Sequence, residues 1–124
     1  MKEQLQPLAK AFHHSLTQIR AEQGYLIDLA PDGSHTFRLK LKADGSSIAA
    51  DTALIIKGIA ESVVKTGQAV ITRNAMTDRR FASDRNVMRL RVRSVICVPL
   101  WREQQIVSLV YVEHRAKRGQ FNRN

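Results

Sequence analysis

Seven arginines between positions 73 and 93 are the clearest chemical feature of the sequence. The same stretch holds two acidic residues, Asp78 and Asp84, so it carries +5 of the formal net charge of +9. Guanidinium groups suit carboxylates and phosphates, and a cluster of them attracts anions. The plainer alternative is a solvated basic loop and helix. The seven are Arg73, Arg79, Arg80, Arg85, Arg89, Arg91 and Arg93.

Cys97 is the only cysteine, and it lies in an apolar run without a sequence neighbour that would lower its pKa. We therefore predict a buried core thiol and no catalytic residue. A lone thiol of this kind fits a reducing cytoplasm. The four histidines lack the spacing of metal ligands, so no metal site is predicted. They are His13, His14, His35 and His114.

Size and composition predict one cytoplasmic domain. The chain has 124 residues, of which 44% are hydrophobic. No run approaches the roughly 18 apolar residues of a membrane span, and the N-terminus shows no signal peptide. Nucleic-acid contact by the basic segment is a weaker alternative, because the segment lacks interleaved aromatic residues and a helix-turn-helix signature.

A predicted β-hairpin must position the basic segment, which leads directly into it. Two largely apolar runs, 93–101 and 106–113, flank the short polar link 102–105. Neither run alternates apolar with polar residues, which indicates a central place in a sheet covered on both faces. Pro99 cannot donate a ladder hydrogen bond, so its strand should lie at an edge or bend there.

Hydrophobic periodicity predicts three helices and three further strands around this hairpin. The strand 35–42 alternates, which would place Phe37, Leu39 and Leu41 on one face of an edge strand. Asp51 or Ser47 is the expected cap of the second helix. The helices are predicted over 4–20, 52–66 and 83–91, and the strands over 25–29, 35–42 and 69–72.

Glycines are expected to end two of the helices, Gly24 the first and Gly67 the second. The first helix has one apolar stripe, formed by Leu5, Leu8, Phe12, Leu16 and Ile19. The second has an apolar face of Ile55, Ile56, Ile59, Ala60, Val63 and Val64. Because helices interrupt the strands without strict alternation, the order predicts an α+β fold. Its central antiparallel sheet should carry helices on both faces.

Several local motifs, in this order, resemble a GAF domain, a fold related to PAS domains. The family's helix ending in Gly-Gln is followed by a strand, a loop with Asp, Arg and Phe, a Pro-Leu strand and a last Tyr-Val-Glu strand. Arg79 stands where the loop usually has proline, and Ser108 where the last strand usually has glycine. The matching stretches are 67–72, 78–82, 93–100, 107–113 and 119–121.

The resemblance implies a further helix that usually closes a GAF domain on the outer face of the sheet. The sequence stops after Asn124, so residues 1–124 are expected to be a single GAF domain excised from a larger multidomain regulator. The same full-length chain would carry the output domain. Residues 4–20 would then cover only half of the outer face, and a homodimer is expected there. Its interface would include Leu5, Leu8, Phe12 and Leu16.

The resemblance also implies a ligand pocket between the sheet and the segments 74–82 and 83–91. Apolar side chains would form its walls, and arginines would meet an anion. In the alternative, the same side chains fill the core and leave no pocket. Both faces of 94–100 are apolar, so the face that lines the pocket is left open. The candidate ligand-binding residues are Met76, Arg79, Arg80, Phe81, Arg85, Met88 and Cys97.

The resemblance implies a sensory module of a cytoplasmic bacterial signalling or transcription-regulating protein. It would bind an unidentified small molecule, with an anion as one candidate, and act through its terminal helices. The alternative is a dimerisation module without a ligand. No cofactor is predicted, because the histidines and Cys97 lie outside the places that hold haem or bilin in relatives, and the cyclic-nucleotide motif is missing. Relatives that reduce methionine sulfoxide use several cysteines, so no enzyme activity is predicted.

Overall fold

A computed structural model describes residues 2–49 and 54–115, with side chains from residue 7 onward. It confirms an α+β fold with an antiparallel sheet. The elements are α1 (Lys2–Gln18), β1 (Gln23–Leu29), β2 (His35–Lys42), α2 (Lys57–Thr66), β3 (Val70–Thr72), α3 (Arg85–Arg89), β4 (Val92–Arg102) and β5 (Gln105–Arg115). None of the described helices is long and apolar enough to cross a bilayer.

The predicted hairpin forms the middle of the sheet, whose strand order is β2-β1-β5-β4-β3. Its two-residue turn, Glu103 and Gln104, is left-handed at both positions, with φ of 51° and 71°. This is the backbone of a type I′ turn, which suits the twist of a hairpin even without glycine. β3 pairs only with Val95–Cys97, so Pro99 lies where one side of β4 is an edge. The edge position predicted for Pro99 is confirmed.

Helices cover both faces of the sheet. We call the face under α2 and α3 the inner face and the face under α1 the outer face. Ile59 and Val63 of α2 are buried on the inner face, next to Cys97 and Tyr111. The outer face has its own core, composed of Phe12, Leu16, Ala21, Leu26, Leu39 and Val112.

A β-bulge makes one sequence prediction wrong, since Phe37 and Leu39 do not share a face. Leu26 pairs with Leu39 and Ile27 pairs with Phe37, which leaves Arg38 as an extra residue. One extra residue reverses the alternation of a strand. Phe37 therefore packs on the inner face, its ring centroid 5.1 Å from that of Tyr25. Leu39 belongs to the outer core.

The predicted start of the second helix is also wrong. α2 begins at Lys57, after Ile56 in an extended conformation. The Ile56 N–H donates to the Tyr111 hydroxyl at 3.1 Å, which holds this extended segment against the sheet. Ile55 and Ile56 are thus buried outside a helix, although their spacing imitates one. The caps proposed for this helix do not apply, and Asp51 lies outside the described residues.

Gly67 ends α2 as predicted, with φ of 71° and its N–H bonded to the Val63 carbonyl oxygen. Gly24 does not end α1. The helix stops at Gln18, Arg20 adopts the left-handed conformation with φ of 57°, and Gly24 lies inside β1. There it allows α1 to approach the sheet closely. A Cβ atom at Gly24 would lie 2.7 Å from Leu16 Cδ2.

The apolar stripe of α1 is only partly available to a second chain. Phe12 and Leu16 are buried in this chain's own outer core, whereas Leu8 is exposed. The side chain of Leu5 lies outside the described residues. At the far edge of the outer face, Ile71 of β3 is 63% exposed. The homodimer stays a prediction, and in this arrangement its contacts would come from Leu8 rather than from Phe12 or Leu16.

Candidate functional site

Side chains fill the interior where the sequence placed a ligand pocket. Phe81 is buried together with Val87 and Cys97 on the inner face. The Phe81 ring packs directly under α2, because its Cδ1 atom lies 3.5 Å from the place of a Cβ at Gly58. Met76 packs against the same core, whereas Met88 is 59% exposed. Val95 and Cys97 of β4 therefore lie on the inner face, towards α2 and α3.

The three candidate arginines do not converge on one point. Arg80 is paired with Asp78 at 2.8 Å, donates to the Ile71 carbonyl oxygen at 3.3 Å, and lies 4.8 Å from the centroid of the Phe81 ring. The hydrogen bond from Arg80 holds the pKa of Asp78 well below its usual range. Arg80 therefore stabilises its own loop. Arg79 and Arg85 are exposed and form no ion pair within the described residues.

Cys97 lacks the properties of a reactive thiol. It is fully buried, and burial raises its pKa to about 12. A thiol with such a pKa contains almost no thiolate near neutral pH, and the thiolate is the nucleophile. Cys97 is therefore part of the core. Among the described residues, no group of three or more His, Cys, Asp or Glu side chains could hold a metal ion.

A buried polar cluster at one end of the inner face was not anticipated from the sequence. Arg115 contacts Glu113 Oε2 at 2.6 Å and donates to the Tyr25 hydroxyl and to the Leu54 carbonyl oxygen, each at 3.0 Å. Gln23 donates to Glu113 Oε2 at 2.7 Å. These contacts join β1, β5 and the extended segment before α2. Glu113 and Arg115 are two residues apart on β5, but Gln23 lies 90 residues from Glu113, so the whole cluster cannot be read from one segment.

Glu113 is the acidic member of this cluster. It is fully buried, and no described residue forms a hydrogen bond with its Oε1 atom. Burial raises the pKa of Glu113 to about 7, although Arg115 opposes the shift. Burial therefore favours the protonated form of this side chain over the charged form. Its charge and the position of Arg115 are coupled, since each is the other's ion-pair partner.

An open cleft lies beside α2, away from the predicted pocket. Its volume is about 440 Å³. One side of α2 lines it, at the helical spacing of three and four residues. We call it the α2 cleft, and its lining residues are Leu29, Gly33, His35, Ile55, Lys57, Ala60, Glu61, Val64 and Lys65.

The chemistry of the α2 cleft is an apolar floor with a basic rim. Leu29, Ile55, Ala60 and Val64 supply carbon surface. On the helix side, the two positive charges of Lys57 and Lys65 exceed the single negative charge of Glu61 by one. The sequence pattern assigned Val64 to the buried face of α2. In the structure Ile59 and Val63 take the centre of that face, so Val64 turns towards the cleft and is 47% exposed.

Comparison with known families gives one match, to the GAF domain, over residues 5–124. No curated protein matches the chain. The fold is similar to that of several solved structures, all with low sequence identity. The photoproduct state of GAF3 from Slr1393 of Synechocystis sp. PCC6803 has a TM-score of 0.73 and 15% identity, with 92% of this chain and 78% of that chain covered.

Two further solved structures show how widely this fold is used. NreA of Staphylococcus aureus, mutated in its nitrate binding site, has a TM-score of 0.69 and 15% identity, with 92% of this chain and 89% of that chain covered. A type II free methionine-R-sulfoxide reductase from Thermoplasma acidophilum has a TM-score of 0.66 and 10% identity, with 92% and 76% covered. At these identities the similarity shows the fold alone.

Proposed function

Because this chain belongs to the GAF domain family, we propose that it is a regulatory module that binds a small molecule in the α2 cleft. GAF domains are sensory and regulatory modules that bind small molecules. The observation that carries the proposal is the cleft itself. Its volume of about 440 Å³ falls within the range of small-molecule sites, and its floor is apolar.

The charge of the rim favours an anionic ligand. Lys57 and Lys65 flank the apolar floor, and Glu61 offsets only one of them. A carboxylate or phosphate on an apolar body would match this arrangement. NreA, whose structure is similar, has a nitrate binding site, which makes an anion a reasonable ligand class for this fold. The buried state of Cys97 supports a binding function without catalysis.

The contacts around α2 provide a route from the cleft to the end of β5. A ligand would touch α2 and the β1–β2 hairpin together. The segment that leads into α2 is bonded to β5 twice, by Leu54 to Arg115 and by Ile56 to Tyr111. A ligand that prefers one position of α2 would thus shift the population of two arrangements at the end of β5.

In this proposal the domain lies in a larger cytoplasmic bacterial signalling or transcription-regulating protein. Ligand binding would pass through β5 to a terminal helix and an output domain. A homodimer through the α1 side would bring two output domains together. Each of these points extends the regulatory function of the family to this chain.

The filled interior favours a second candidate, an interaction module without a ligand. Phe81, Val87 and Cys97 pack together under α2 and α3, in the space where the family resemblance placed a ligand. In that case α1 and the sheet would serve only to join chains. If no compound in a thermal-shift panel binds and sedimentation shows a dimer, this second candidate is favoured.

A thermal-shift panel tests the proposed function. We expect carboxylates and phosphates with apolar groups to raise the melting temperature, since a native-state ligand at a hundredfold excess over its dissociation constant adds about 2.7 kcal/mol. Ala60→Trp should abolish the shift, because the indole would fill the α2 cleft. Ala11→Trp places the same ring on the exposed side of α1 and is the matched control. A shift that survives in Ala60→Trp would contradict the assignment.

A further inference from the structure

A second cleft adjoins the α2 cleft, and Leu29, Gly33 and Val64 line both. It lies between α2 and the turn of the β4–β5 hairpin, with a volume of about 430 Å³. We call it the hairpin cleft. Its lining residues are Leu29, Ala30, Pro31, Gly33, Val64, Trp101, Gln104, Gln105 and Ile106. Because these three residues line both clefts, the clefts are adjacent and one elongated molecule can reach both.

Trp101 is the distinctive side chain of the hairpin cleft. It is the only tryptophan of the chain, and it is 55% exposed. The indole rests on the end of α2, where a Cβ at Gly67 would lie 3.1 Å from its Cζ2 atom. Gly67 thus leaves room for the ring. The two-residue turn at Glu103 and Gln104 fixes the strand end that carries it.

The two clefts differ in the chemistry that they offer. Among the described residues, those that line the hairpin cleft carry no charge and combine an indole with apolar side chains and two glutamines. The α2 cleft holds Lys57 and Lys65. Trp101 lies against Gly67, and Lys65 precedes Gly67 by two residues, a distance of about 3 Å along the helix axis. An aromatic surface and a basic surface therefore lie within the length of one small molecule.

We propose that the two clefts form one groove for an aryl-substituted carboxylate, with its ring against Trp101 and its carboxylate at Lys65. This rests on the proposed function and names the ligand class of the same site. Aromatic pairs prefer offset or edge-to-face stacking, which adds to the effect of the buried area. The lysines contribute by attraction to the anion, and Leu29 and Val64 contact the linking carbons.

Three probe compounds separate the ring from the charge: phenylbutanoate, hexanoate and phenylbutanamide. Trp101 reports on its own surroundings, because no other tryptophan contributes to the fluorescence. We expect phenylbutanoate to change this fluorescence in a saturable way. Calorimetry should show that hexanoate and the amide each bind about three- to tenfold more weakly, which corresponds to one stacking or ionic contact.

Two substitutions test the assignment with the same compounds. Trp101→Leu should lower the affinity for phenylbutanoate to that for hexanoate. It should leave the affinity for hexanoate unchanged. Lys57→Gln combined with Lys65→Gln should lower the affinity for both carboxylates and leave the affinity for the amide unchanged. Unfolding curves of both variants will check that they are folded. We expect that they are, because these side chains are exposed.

The outcomes distinguish this inference from the proposed function. Equal affinity for phenylbutanoate and hexanoate, unchanged in Trp101→Leu, would overturn the aryl assignment and leave a carboxylate site in the α2 cleft. Undiminished binding of phenylbutanoate to Ala60→Trp would place its site elsewhere and overturn both. Failure of all three probes, while other compounds give shifts that Ala60→Trp abolishes, would overturn the aryl assignment alone.

Discussion

Arg115→Met is expected to lower the free energy of unfolding by about 3–5 kcal/mol near pH 8, the usual effect of removing one partner of a buried ion pair. Glu113 is fully buried, and Arg115 is its ion-pair partner at 2.6 Å. Without Arg115 the carboxylate would keep the hydrogen bond from Gln23 but would lose its ion-pair partner among the described residues. The bonds from Arg115 to Tyr25 and Leu54 would be lost as well. Urea unfolding of both proteins measures the difference.

The effect should depend on pH, because the pKa of Glu113 is raised to about 7 from the ordinary value of 4.5. Between these values the folded chain holds a proton that the unfolded chain has lost. The contribution of Glu113 to stability therefore falls as pH rises through this window. Removing Arg115 raises the pKa of Glu113 further. The contribution of Glu113 to stability then continues to fall at higher pH. The loss in Arg115→Met should accordingly be smaller near pH 5 than near pH 8.

Glu113→Gln is the matched control. It removes the titrating group, so the fall in stability between about pH 5 and 7 should flatten. The double variant with Arg115→Met should recover part of the stability that Arg115→Met loses near pH 8, since no unpaired charge remains buried. The carboxylates of Asp32, Asp44 and Asp78 have lowered pKa values and stay ionised in this window. No recovery in the double variant would contradict the ion-pair explanation.

Gly24→Ala should destabilise the fold by about 1–3 kcal/mol, and Gly24→Val by more, because extra carbon atoms overpack a filled core. A Cβ at this position would lie 2.7 Å from Leu16 Cδ2 and 2.9 Å from Val112 Cγ1. Both neighbours are buried between α1 and the sheet. These side chains, or the elements that carry them, must therefore shift. The urea midpoint of each variant, compared with that of the natural sequence, gives the measurement.

Gly58→Ala is the control for glycine replacement in general. Gly58 lies in α2, and a Cβ there would meet Phe81 at 3.5 Å, an ordinary contact. Alanine is favoured over glycine in a helix by about 1 kcal/mol, so this variant should be slightly more stable. If Gly24→Ala were as stable as Gly58→Ala, the close approach of α1 to the sheet would be refuted.

Much of the fold can be predicted from the sequence, because strand patterns and glycine stops are local signals. The β4–β5 hairpin, the edge at Pro99 and the end of α2 at Gly67 follow from such signals. The bulge at Arg38 does not, because one inserted residue reverses a face without changing the composition of the strand. The start of α2 was missed for a related reason. Ile55 and Ile56 are buried by an extended segment that has helical spacing.

The candidate site was much harder to predict than the fold. A sequence identifies Phe81 and Cys97 as apolar or small, but whether they line a pocket or fill it depends on packing in three dimensions. The α2 cleft arises from the rotation of α2, which turns Val64 outward. The Glu113–Arg115 cluster joins residues from distant parts of the chain. Neither feature can be read completely from one segment, although Glu113 and Arg115 are two residues apart on β5.

Methyl NMR spectroscopy of Ile, Leu and Val side chains would test the central claim, that the α2 cleft binds a small molecule, most directly. The probe is any carboxylate that raises the melting temperature. We predict that it shifts the methyl signals of Leu29 and Val64, which line the cleft, and leaves those of Leu16 and Val112 in the outer core unchanged. Shifts centred on Val87 and Val95, with Leu29 and Val64 unaffected, would contradict the claim and return the ligand to the interior beneath α3.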